Sequence, residues 1–239
     1  MASHVSGHCS TPHTCPPQVC ERVMAHSPLT RGLDPAARRD FDSHVISLAW
    51  EEGSAIYTQG EALHGLYMVM SGIVRLSQST AEGDEVTVDM CGPGDVLGSM
   101  VLGEPTAALG AWATTTVCCL FLPADKLSEV VTAHPPLAVA LLHLQQRRLR
   151  ESQTRKVQDA TSRVRVRVLD ALRYLDEKFG RTLADSTRLV DAPIRREDVA
   201  GLAGTTVEST SRAMSALVKR GVLAPGRQKI QLLAPLPKD

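Results

Sequence analysis

Aromatic side chains supply only 3% of the 239 residues, so a core built from this chain must be filled mostly by Leu, Val, Ala and Met. No uninterrupted apolar run approaches the ~18 residues that a membrane-spanning helix needs, so no membrane partner is expected. Met1 to His8 has no cationic stretch followed by an apolar one, so a secretory signal peptide is not expected and a cytoplasmic location is. No nucleophile–base signature and no metallohydrolase spacing is present, and catalysis is not expected. Lys and Arg are absent between Arg75 and Lys126. A net charge is missing too, with 26 basic residues against 26 acidic ones. Taken as a total, that balance argues against a polyanionic partner. With 43% hydrophobic and 22% charged residues, the chain reads as globular.

Six cysteines are present in two groups. Cys9, Cys15 and Cys20 lie in the first twenty residues, and Cys91, Cys118 and Cys119 lie mid-chain. Without a secretion signal, reduced thiols available for metal or redox chemistry are the better reading than a disulfide framework. The segment 1–29 also holds His4, His8, His13 and His26 and four prolines, and reads as an irregular Cys/His-rich arm. Asp34 then caps a short helix that opens on Pro35. Residues 30–134 show short strand-like runs, such as Gly65–Met70, Glu85–Met90 and Thr116–Leu122, between glycine-marked turns, as in an all-β sandwich or barrel. Past Pro136, Leu137, Leu141 and Leu144 follow helical spacing, and this first helix is long enough for a dimer seam. A second helical pattern runs from about Asp159 to Phe179, closed by Gly180.

The last third reads as a helix-turn-helix. Arg196–Ala203 forms one short helix, Gly204 makes the turn, and Thr205 or Thr206 caps a second helix running to about Arg220. Val207, Thr210, Met214 and Leu217–Val218 are expected to face inward. Ala224 to Leu232 reads as a small hairpin, or wing. The polar face near the start of the second helix carries Thr206, Glu208, Ser209, Ser211 and Arg212, where a recognition helix meets base edges. Arg pairs bidentately with guanine and Glu accepts from the cytosine amino group. Lys219, Arg220, Arg227 and Lys229 suit phosphates. Regional charge supports this. Residues 31–130 carry 5 basic and 14 acidic side chains, a net −9, and residues 131–239 carry 20 and 11, a net +9. A basic region bearing a helix-turn-helix is the electrostatic footprint of a partner for double-stranded DNA.

Arg196-Glu-Asp-Val-Ala-Gly-Leu-Ala-Gly-Thr-Thr-Val-Glu-Ser-Thr-Ser-Arg212 resembles the winged-helix signature of the CRP/FNR transcription regulators, and its Val-Glu-Ser-Thr-Ser-Arg core looks most like the FNR branch. Gly92-Pro-Gly-Asp-Val-Leu-Gly-Ser99, Tyr57-Thr-Gln-Gly-Glu61 and Tyr67-Met-Val-Met-Ser-Gly-Ile-Val74 resemble three further motifs, in the family's order. The resemblance implies an α+β chain: a cyclic-nucleotide-binding-like β-roll (jelly roll) over 30–134, a dimerisation helix over 135–158 and a winged helix-turn-helix over 159–239. It also implies a homodimer on a palindromic operator with half-sites of the TTGAT kind, and RNA polymerase as a partner. Arg196, Thr206, Val207, Glu208, Ser209, Ser211 and Arg212 would form the operator-facing surface.

For the signal, the resemblance offers two ligands. The nucleotide-binding version of the roll places a Glu after the Pro-Gly-Asp turn, where Ser99 stands here. It also needs an Arg-Ser pair about ten residues on, where this chain has Thr106-Ala107-Ala108-Leu109-Gly110. A buried phosphate without a cation is costly, so cAMP binding is not expected. The FNR-type oxygen sensors hold a 4Fe-4S cluster with three arm cysteines and one on the roll. By that resemblance Cys9, Cys15, Cys20 and Cys118 are the expected ligands, with Cys91 as the alternate fourth. The arm spacing here is five residues then four, against the family's two then five. Zinc or haem held by the same arm, direct thiol oxidation or a small molecule remain open as alternatives. So does a nucleotide-binding-like module acting through protein contacts.

Overall fold

The computed structural model describes residues 11–12, 15–80, 82–98, 106–226 and 229–237. The chain divides into two compact units, Met1–Gly83 with Met90–Arg150 and Asp84–Asp89 with Glu151–Asp239. In chain order the first elements are β1 (Thr11–Pro12), α1 (Pro17–His26), α2 (Pro35–Ser43), β2 (Ile46–Trp50), β3 (Ala55–Tyr57), β4 (Gly65–Ser71) and β5 (Val74–Ser79). There follow β6 (Glu85–Cys91), β7 (Val96–Gly98), β8 (Gly110–Ala113), β9 (Val117–Pro123), α3 (Ala124–Ala133) and α4 (Pro135–Thr161). A five-stranded sheet runs β1-β2-β9-β4-β7 and a four-stranded sheet runs β3-β8-β5-β6.

Side chains alternate faces along a strand, and the central strands β4 and β9 use both faces. Tyr67 and Val69 with Val117, Cys119 and Phe121 enter the core between the sheets, beside Trp50, Tyr57 and Cys91. Leu66, Met68 and Met70 with Cys118, Leu120 and Leu122 enter a second core on the opposite face. The few aromatics are concentrated in the inner core, where the Tyr67 ring lies 4.7 Å from Phe121, 5.8 Å from Tyr57 and 6.0 Å from Trp50. Between β4 and β5 the chain reverses at Gly72, whose φ is +82°. A Cβ there would lie 2.2 Å from the Thr116 carbonyl oxygen, so only glycine serves.

The second core is closed by helices. Val23 and Met24 of α1, Phe41 of α2, Leu127 and Val130 of α3, and Leu137, Leu141 and Leu144 of α4 all belong to it. Two expectations change here. The arm is not irregular from residue 15 onward. Pro17 stands at the first position of α1, where a missing N–H costs nothing and its fixed φ favours a helix, and Val23 and Met24 supply the apolar face. Leu137, Leu141 and Leu144 are not a seam for a second chain, because they are 2%, 8% and 5% exposed and packed inside their own unit. The exposed apolar side chains of α4 in this unit are Val139, Leu142 and Leu149, at 51%, 69% and 59%. Their three- and seven-residue spacing is the seam pattern.

In the second unit α5 (Val164–Phe179) buries Val168, Leu169, Leu172 and Leu175. Arg163, in extended conformation, separates it from α4, so the break falls a few residues after the expected Asp159. A three-stranded antiparallel sheet, β10 (Gly180–Thr182), β11 (Arg188–Val190) and β12 (Ile230–Leu232), follows the order β10-β11-β12. The expected wing is present as an antiparallel bridge between Leu223 and Leu232 and a hydrogen bond from the Ala224 N–H to the Gln231 carbonyl. Replacing Leu141 with Ala empties part of the second core and should cost about 2–5 kcal/mol, read as a lower urea midpoint of the full-length chain.

Candidate nucleic-acid interface and thiol cluster

The helix pair is built from local signals. In α6 (Arg196–Leu202) the buried Asp198 carboxylate accepts the Arg195 N–H at 2.8 Å, closing the first turn. Gly204, at φ +55°, turns the chain into α7 (Val207–Lys219). Thr206 caps α7, its Oγ1 accepting the Ser209 N–H at 3.2 Å. Thr210, Met214 and Leu217 are buried. Val207, expected inward, is 40% exposed. It stands one turn ahead of Thr210, the first residue of α7 to enter the core, and an outward apolar group there suits a thymine methyl.

The outer face of α7 opens on Glu208 and Arg212, with side chains 78% and 70% exposed. The Arg212 Nη1 donates to Glu208 Oε1 at 3.0 Å and its Nη2 donates to Ser209 Oγ at 3.3 Å. An exposed pair four residues apart adds only ~0.3–0.5 kcal/mol to a helix, so its consequence is orientation rather than stability. Ser211 is half-buried beside them. Lys219 and Arg220 are exposed at the far end of α7, where cations oppose the helix dipole favourably. Lys229 is exposed just before β12, Arg196 is half-buried on the first turn of α6, and Arg227 lies outside the described residues.

In the roll, the motif turns are held by their own side chains. Asp95 Oδ2 accepts the Gly92 N–H at 2.9 Å, and Glu61 Oε2 accepts from the Thr58 N–H at 2.9 Å and from its hydroxyl at 3.1 Å. Ser99 lies outside the described residues. Where the nucleotide-binding pattern places a cation, Ala107 is buried in the inner core and Leu109 packs against it.

Three of the four expected metal-binding cysteines come together. Cys15 precedes α1, Cys20 lies on it, and Cys118 lies on the helix-covered face of β9. The Cys15 thiol is hydrogen-bonded to both Cys20 and Cys118. Cys91 is held apart from them in the inner core with Cys119, because strand alternation sends Cys118 and Cys119 to opposite faces. Cys9, His4, His8 and His13 lie outside the described residues, and none of the five described cysteines forms a disulfide. Cys15 and Cys20 line a groove of about 800 Å³ with Glu21, Arg38, Arg39 and Asp42. The donor chemistry suits an iron–sulfur cluster, which thiolates hold. The described residues alone present no group of three or more His, Cys, Asp or Glu already set to hold a metal ion, so a ligand set needs the sulfurs to close up around it.

Burial pushes all three thiols upward in pKa, Cys20 to about 12. They are protonated at neutral pH, so metal loading must release protons and strengthens as pH rises. Stability from a raised thiol pKa is complete below the unfolded value near 9 and is lost as pH climbs from there toward the folded value. Alkylation of Cys20 by iodoacetamide in the full-length protein should therefore still be accelerating between pH 9 and pH 11. A rate that levels off below pH 9 would contradict the burial argument.

Comparison with known proteins agrees with both halves. Residues 48–134 match the cyclic nucleotide-binding domain model and residues 166–235 match the Crp-like helix-turn-helix domain model. The chain is 32% identical over 218 residues to the cyclic AMP receptor protein of Thermus thermophilus, covering 87% of this chain and 94% of that one. It is 26% identical over 219 residues to the nitrogen fixation regulation protein FixK of Bradyrhizobium diazoefficiens, covering 87% of each. The solved structure of FixK2 from Bradyrhizobium japonicum shares the fold at a TM-score of 0.70 and 23% identity, over 80% of this chain and 93% of that one. A sensor roll and a helix-turn-helix, in that order and at that identity over nearly the whole length, make this chain a member of the CRP/FNR family of DNA-binding transcription regulators.

Proposed function

We propose that this regulator is a cytoplasmic homodimer that reads a palindromic operator through α7 and adjusts that reading to oxygen, nitric oxide or redox state through its arm cysteines. The observation that carries the signal assignment is the meeting of Cys15 and Cys20 with Cys118. Three thiols from two distant segments, Cys15 and Cys118 buried and Cys20 half-buried beside them, are poorly accounted for as packing alone.

On this reading Cys9, Cys15, Cys20 and Cys118 hold a 4Fe-4S cluster, which when bound supplies an oxygen- and NO-labile group. What the chain's own residues do follows from their shared core. Cys15 and Cys118 pack in the same apolar cluster as Leu137, Leu141 and Leu144 of α4. Moving the arm sulfurs moves the inner face of the helix whose outer face carries Val139, Leu142 and Leu149. Dimer affinity then follows the state of the arm, a two-state element biased by a local event. On the operator, Arg212 and Glu208 read bases while Lys219, Arg220, Arg227 and Lys229 meet phosphates, with RNA polymerase as the next partner. A cyclic nucleotide is not the expected effector, because Thr106–Gly110, where the nucleotide-binding pattern needs its Arg-Ser pair, holds no cation.

A second reading keeps the same residues without iron. Cys15 touches two other thiols, so a two-electron oxidant such as a low-molecular-weight disulfide would join Cys15 to Cys20 or Cys118, the oxidant's S–S bond breaking and the two protons lost by the cysteines passing to it to give two thiols. One experiment separates the two readings: anaerobic purification with an absorption spectrum, iron and sulfide analysis, thiol counting, and operator binding before and after air. The cluster reading expects about four irons and four sulfides per chain and an operator affinity that changes on exposure to air. Iron-free protein that loses two thiols as affinity changes selects the second reading. Iron-free protein with equal affinity in both conditions overturns both, leaving the DNA-binding assignment to stand.

A further inference from the structure

The start of α7 contains a hydrogen-bonded chain that joins Thr206, Ser209, Arg212 and Glu208. Thr206 Oγ1 accepts the Ser209 N–H at 3.2 Å, which fixes Ser209 on the first turn. Ser209 Oγ in turn accepts from Arg212 Nη2 at 3.3 Å, while Glu208 Oε1 accepts from Arg212 Nη1 at 3.0 Å. A guanidinium carries five N–H groups, two on each Nη. With one hydrogen on each Nη engaged by Glu208 and Ser209, each Nη keeps one N–H. A bidentate pair with O6 and N7 of guanine needs two.

The two partners differ in what they fix. A single bond to Glu208 leaves the guanidinium able to pivot about the Nη1···Oε1 contact. A second bond, to a neutral hydroxyl on another nitrogen, removes that pivot and adds no further charge beside the operator. The Arg212 side chain is 70% exposed, so no surrounding wall holds it. An exposed arginine has many rotamers, and ordering it on binding weakens the pairing. Holding it beforehand spares that loss where the right base is met.

We infer that Ser209 is a positioning residue for base discrimination: its hydroxyl, with Glu208, holds the Arg212 guanidinium in the orientation that pairs with guanine. The inference rests on the proposal that Arg212 reads a base. It separates Ser209 from a residue that touches the sugar-phosphate backbone, since a backbone contact changes affinity for every sequence alike.

The test uses full-length dimeric protein and two duplexes. One carries inverted TTGAT half-sites and the other has the guanine of each half-site replaced by adenine. Binding is followed by fluorescence anisotropy at fixed salt for the wild type and for Ser209→Ala, Ser209→Thr and Arg212→Ala. The wild type should prefer the guanine duplex by roughly tenfold or more. Ser209→Ala should shrink that ratio by about threefold to tenfold, mainly through weaker binding of the guanine duplex. Ser209→Thr, which keeps the hydroxyl, should restore it. An unchanged ratio in Ser209→Ala, or an equal loss on both duplexes, overturns the inference while leaving Arg212 as the reader. A wild type with no preference, or an unchanged ratio in Arg212→Ala, overturns the base-reading assignment and this inference with it.

Discussion

A single apolar core ties the arm, the helix-covered face of the five-stranded sheet and the inner face of α4 together. Val23 and Met24 come from α1, Met68 and Leu120 from the central strands, and Leu137, Leu141 and Leu144 from α4. Each large side chain fully buried there is worth roughly 1.5–3 kcal/mol, whereas a hydrogen bond contributes about 0.5–1.5 kcal/mol net. Packing therefore holds the arm down, and the sulfurs are passengers at its edge. That division suits a sensor. Cys15 and Cys118 belong to the same core as the leucines of α4.

Strand alternation makes this arrangement possible. Adjacent cysteines on β9 go to different cores, Cys118 to the arm and Cys119 to the roll interior. A one-residue slip of β9 would exchange them and carry Phe121 out of the inner core into the helix-covered one. The pairing that prevents it is long: β9 is central, matched to Ile46–Trp50 on one side and Gly65–Ser71 on the other. The scarcity of aromatics sharpens the point, since a slip would take Phe121 away from Tyr67, whose ring lies 4.7 Å from it.

Much of this was legible in the chain. The apolar run Val117–Leu122 shows its parity, so the separation of Cys118 from Cys119 could be read directly. The cap Asp34, the Thr205-Thr206 pair as a cap and the turn at Gly204 announced their helices, and the regional charges of −9 and +9 separated a roll from a DNA-binding half that a total of zero concealed. Other features had no such signal. Pro16 and Pro17 disguised α1, because a helix that opens on proline looks like loop until its apolar face is seen to be covered. β10 and β11 are three residues each, too short for a period of two to show. The leucines of α4 were visible as one face, but only packing reveals that this face is already occupied and that Val139, Leu142 and Leu149 are exposed. The meeting of Cys15 with Cys118, a hundred residues apart, was visible only through family resemblance.

The most direct test of the shared core is the dimer dissociation constant of the full-length protein, measured by sedimentation equilibrium for the wild type and for Val23→Ala. Val23 is 7% exposed, lies on α1, and belongs to the same core as the inner face of α4. If the arm governs α4 through that core, Val23→Ala weakens the dimer severalfold while far-UV circular dichroism stays unchanged. A dimer constant equal to that of the wild type, in a folded variant with a loosened arm, would contradict the account.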